Sequence, residues 1–118
     1  MPQQILNSTK KVILATRAER AETFRSRMIG LLNRESLKDG EALVITYCQS
    51  VHMLFMKFPI DVIFVDGADK VVGLVPEIRP FRLSPIFWKS SYAVELPAGT
   101  IDKTRTDIGD LLTFSEKP

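Results

Sequence analysis

Cys48 and His52 stand four residues apart, and a thiol with an imidazole is the raw material of a nucleophile with its own base. The spacing tells against that pairing. Val51–Met56 is apolar and reads as a strand, on which four residues span about 13 Å, beyond hydrogen-bond reach. Cys48 is therefore expected to be a small buried hydrophobe. His52 is the one histidine of the chain, whereas catalytic transition-metal sites commonly use two or three. Met53 and Met56 read as core packing, and the expectation is no metal and no cofactor.

A polar cluster carries more promise. It comprises His52, Asp61, Arg79, Arg82 and Glu95. Asp61 and Glu95 fall inside apolar strands, where an ionised carboxylate must be paired or hydrogen-bonded. Arg79 and Arg82, in the segment Arg79-Pro80-Phe81-Arg82, offer forked donors to such a group or to an anionic ligand. Two readings stay open. One is architecture: an ion pair, with carboxylates holding turn amides. The other is a ligand site whose candidate binding residues are His52, Asp61, Arg82 and Glu95, with no catalytic residue assigned. Asp66 and Asp110, each beside a glycine, are expected to cap turns.

The elements that must position these residues follow from the apolar pattern. The 118 residues are 45% hydrophobic and 25% charged, with 16 basic residues against 14 acidic ones. That suits one domain over 1–118, with a core of about 11–115 and residues 1–10 flexible or at an edge. The near-balance of charge disfavours a nucleic-acid partner, and one cysteine cannot make an intramolecular disulfide scaffold. Val12–Ala15 reads as a first strand. Thr23 then caps a short helix with Phe24, Met28, Leu31 and Leu32 on one stripe. Beyond Asp39-Gly40, the segments Ala42–Tyr47, Val51–Met56, Ile60–Val65, Val71–Val75, Ser91–Leu96 and Leu111–Phe114 read as strands.

In Ile60–Val65 both faces are apolar, which marks a doubly covered strand. Asp66–Asp69 is a hairpin turn. Pro76, Pro80 and Pro85 make Glu77–Trp88 an irregular surface segment, and Thr100–Thr106 forms a helical turn. The expected fold is mainly β: a compact β-sandwich or partly closed barrel of about six to seven short strands with one short N-terminal helix.

Several of these blocks together resemble a known family. The run from His52 through Met56-Lys57-Phe58-Pro59-Ile60-Asp61 to Val65-Asp66 is similar to the central signature of the domain-of-unknown-function 192 family. Arg27–Leu32 with Gly40–Leu43, the Arg-Pro-Phe-Arg segment, and Val94-Glu95-Leu96-Pro97-Ala98-Gly99 leading to Ile108-Gly109-Asp110 fit the same pattern, over roughly Leu14 to Phe114. A common version of the family has Trp-Met-Lys-Asn-Thr and a longer turn before its Pro-Leu-Asp. This chain resembles the shorter, His-containing version, so no role carries over for the Asn-Thr pair. The resemblance implies a compact β-rich domain without an established activity.

Nucleotide, phosphate and hydrolase motifs of the common kinds are absent, which leans away from an enzyme. The leading expectation is a small ligand-binding or accessory module with a polar pocket, taking an unknown small molecule or protein partner. The alternatives are an enzyme using His52 with Asp61 or Glu95 as acid/base, and an interaction module docking through Phe81, Phe87 and Trp88 in the Pro-rich segment 80–88. With neither a membrane-spanning run nor a signal peptide legible, the expected location is cytoplasmic.

Overall fold

Seven strands and one short helix organise the computed structural model, which describes residues 3–21, 37–50 and 58–116. They are β1 (Gln3–Asn7), β2 (Val12–Ala21), β3 (Glu41–Thr46), β4 (Ile60–Val65), β5 (Val71–Ile78), β6 (Tyr92–Pro97), α1 (Thr100–Thr104) and β7 (Leu112–Glu116). All seven strands belong to one sheet in the order β5-β4-β6-β3-β2-β1-β7. Among the described strands only β2 and β3 run parallel. The helix expected from Thr23 to Leu32 and the strand expected over Val51–Met56 both lie outside the described residues.

The edge strands β5 and β7 approach one another at one end. Lys70 bridges Leu111, and the Val71 amide donates to the Asp110 carbonyl at 2.8 Å. The sheet is thus a curled half-barrel, the second of the two expected forms. Its interior is filled from nearly every strand, by Ile5, Leu14, Ala18, Val44, Ile63, Val65, Val94 and Leu96, with Ile101 of α1 closing over them. A second cluster lies on the other face: Ile45, Ile60, Val62, Phe64 and Ala93, covered by Leu37, Phe58, Ile78 and Phe87. All six residues of β4 are buried, as apolar side chains on both its faces require.

Two expectations need correction. Residues 3–7 do not form an edge strand, because β1 sits between β2 and β7. They read as polar because an inward position of β1 is Asn7, fully buried, whose amide donates to Thr106 at 3.1 Å and Asp110 at 2.9 Å. Pro76 does not end β5, which continues to Ile78 through a register shift opposite Asp61. An edge strand with a bulge can lose the amide that proline lacks.

The turn after β4 forms as expected, though the left-handed residue is Asp69 (φ 62°) rather than Gly67. Asp66 Oδ1 accepts from the Ala68 and Lys70 amides at 2.9 and 3.0 Å. That is the turn-capping role expected of it.

Candidate functional site

Asp61 is fully buried, and its neighbours define its work. Oδ1 accepts the Glu77 amide at 2.8 Å, and Oδ2 accepts the Ile101 amide at 2.7 Å. Glu77 has φ 49° at the bulge of β5, a backbone conformation rare outside glycine. Ile101 lies in the first turn of α1, whose N-cap Gly99 provides no side-chain bond. One carboxylate therefore ties the β5 bulge and the start of α1 to β4.

Glu95 is also fully buried, but it faces away from Asp61. On adjoining strands Asp61 pairs with Leu96, and Glu95 pairs with Val62 and Leu43. Directly opposed residues share a face, so Asp61 lies with the half-barrel interior and Glu95 with the second cluster. Arg79 and Arg82 are exposed. They close a tight turn in which the Arg82 amide donates to the Arg79 carbonyl at 3.3 Å. His52 lies outside the described residues. Among the described members, the expected cluster is divided between two faces and an exposed turn.

Cys48 is buried, with Sγ 3.1 Å from the Ser50 carbonyl. Among the described residues no group of three or more His, Cys, Asp or Glu is placed to hold a metal ion. A hollow of about 170 Å³ between β2 and α1 is lined by Thr16, Asp39, Gly40, Thr100, Lys103 and Thr104, with none of the expected site residues. It is smaller than the roughly 300–1,000 Å³ of small-molecule pockets.

Asp110, expected to cap a turn, does so through the Asp107 amide at 2.9 Å, and it also binds Asn7 and Lys10. Burial by itself would push its carboxyl upward. The bonds from Asn7, the Asp107 amide and Lys10 outweigh that and hold it below the usual carboxylate range.

The unexpected concentration is apolar and exposed. Residues 79–91 form a strap that leaves β5 beside the start of β4, where Ile78 pairs with Ile60, and returns to its end, where the Ser91 amide donates to the Val65 carbonyl at 2.7 Å. Phe87 points inward and stacks on Phe64 with ring centroids 4.5 Å apart, so it is a seat for the strap rather than a docking aromatic. The strap is pinned again where the Phe87 amide donates to the Gln49 carbonyl (2.8 Å) and Gln49 Nε2 to the Trp88 carbonyl (2.9 Å).

Between these anchors Phe81, Leu83, Ile86 and Trp88 are 71, 73, 53 and 75% exposed, and Tyr47, two residues before the Gln49 that pins the strap, is 95% exposed. Phe81 and Tyr47 both have positive φ, 65° and 53°, where a bulky side chain is strained. Tyr47, Leu83 and Ile86 were not singled out from sequence. Periodicity places Tyr47 at a strand end, and only the backbone shows that it turns out of the sheet.

The comparisons agree with this fold. A UPF0127 protein of Thermococcus sibiricus is 33% identical over 110 residues, 90% of this chain and 71% of its own length. A UPF0127 protein of Pyrococcus furiosus is 32% identical over 114 residues, 94% of this chain and 97% of its own length. The crystal structure of a protein of unknown function from Novosphingobium aromaticivorans superposes with a TM-score of 0.79 at 20% identity, over 96% of this chain and 84% of that one. The family model of DUF192, described as "Uncharacterized ACR", matches residues 5–114. The chain belongs to the DUF192 family.

Proposed function

We propose that this domain is a docking module whose working surface is the strap 79–89 with Tyr47 beside it. The observation that carries the reading is the outward set Phe81, Leu83, Ile86 and Trp88 on a segment anchored at both ends. Exposed apolar side chains gathered in one place mark interaction sites more often than isolated ones do. Aromatic anchors on a pre-ordered backbone bind at a lower ordering cost.

A polar pocket shared by Asp61 and Glu95 is not open to this reading, because the two face opposite sides of the sheet. Asp61 spends both oxygens on backbone amides, which supports an architectural role over acid/base work.

The test is photo-crosslinking in cells of the source organism. A photoreactive phenylalanine analogue replaces Trp88 in one variant and Ile108, exposed elsewhere on the surface, in another. Discrete adducts from position 88 and none from position 108 are expected. No adduct to protein or to lipid from 88, or the same adducts from both positions, rejects the reading.

A further inference from the structure

Resting on the docking reading, we infer that the occupant of the strap is the surface of an anionic lipid bilayer. The strap carries Arg79, Arg82 and Lys89, and no acidic residue occurs from Ile78 to Ser91. Of 16 cations in the chain three are here and of 14 anions none, so the remainder carries 13 against 14. The positive balance of the protein resides in this segment.

The cations are interleaved with the outward apolar side chains. Arg82 stands between Phe81 and Leu83, and Lys89 follows Trp88. Lysine is depleted from protein interfaces, and interleaved charge and apolar groups suit a bilayer surface. There anionic headgroups take the cations, while tryptophan and tyrosine sit at headgroup level and aliphatic groups dip beneath. Leu83 and Ile86 are the aliphatic pair, Trp88 and Tyr47 the interfacial aromatics. Pro80 and Pro85, the Arg79–Arg82 turn and the Phe87 seat hold this arrangement before any contact is made.

Trp88 is the chain's single tryptophan and reports directly. The full chain is titrated with vesicles of phosphatidylcholine alone and of phosphatidylcholine mixed with phosphatidylglycerol. The mixed vesicles are expected to shift Trp88 emission to the blue and sediment with the protein, and added salt to reverse both. Vesicles of phosphatidylcholine alone should leave the spectrum unchanged.

Arg82→Ala should weaken partitioning about fivefold, as expected for one surface cation. Phe81→Asn, which suits a positive φ, should weaken it with the thermal midpoint retained. An unchanged spectrum with mixed vesicles overturns the inference, as does equal binding to both vesicle types or by wild type and Arg82→Ala. A protein adduct from position 88 without a vesicle response overturns the lipid assignment and leaves the docking reading standing. Absence of both removes both.

Discussion

The ring of Phe87 fills the space that a side chain at position 73 would need. A Cβ on Gly73 would lie 2.8 Å from Phe87 Cγ and closer still to the ring edge. Phe64 pairs with Gly73 across β4 and β5, so the glycine opens the slot in which Phe87 stacks on Phe64. The strap depends on that slot for its inward anchor.

Gly73→Ala is therefore expected to destabilise the fold by about 1–3 kcal/mol through overpacking, read by urea denaturation. Phe87→Ala empties the slot, so adding Gly73→Ala to it should cost less than it does in the wild type. A double-mutant cycle measures this. Strict additivity would mean that the two residues do not share the space.

Much of this fold was legible because apolar runs of the right length were present. The bounds of Ile60–Val65 are legible to the residue, since five apolar residues and one aspartate between Pro59 and Asp66 leave few alternatives. β1 was not legible, because Asn7 at an inward position breaks the pattern and its partners, Thr106 and Asp110, lie at the other end of the chain. Asp61 was recognised as a carboxylate needing partners. That the partners are the amides of Glu77 and Ile101 depends on a bulge and a helix start that no local pattern encodes. The division of Asp61 from Glu95 depends on the relative register of β4 and β6, which single-strand alternation does not supply.

Asp61→Asn keeps the size of the side chain but replaces one acceptor oxygen with a donor. One of the Glu77 and Ile101 amides would then face an N–H group. The expected cost is about 1–3 kcal/mol, with faster hydrogen exchange at the amide that loses its acceptor. Exchange at both amides as slow as in the wild type would show that the carboxylate is not what holds them.

Asp110 sets an acid limit on stability. Its folded-state carboxyl titrates below the ordinary range because Asn7, the Asp107 amide and Lys10 favour the charged form despite burial. A depressed folded pKa gives stability that is present above the unfolded value of about 3.9 and is lost as pH falls through the folded value. Asp110→Asn should be less stable than wild type near neutrality, with the gap closing in acid. A constant gap from neutral to acid pH would contradict this electrostatic account.

The opposite faces of Asp61 and Glu95 make the last prediction. The strands are neighbours, and Asp61 pairs with Leu96, the residue next to Glu95, so a shared polar site would couple the two carboxylates strongly. Facing apart, they contact different clusters: Asp61 the interior around Ile63, Leu96 and Ile101, Glu95 the other side with Val62 and Ala93. Asp61→Asn and Glu95→Gln should each lower the midpoint, because each disturbs a fully buried carboxylate. Their effects should add within about 0.5 kcal/mol, as for independent sites. The cycle is measured by urea denaturation at neutral pH. A coupling of about 1 kcal/mol or more, of either sign, would mean that the two carboxylates act on a common group, and the pocket reading would then displace the architectural one for Asp61.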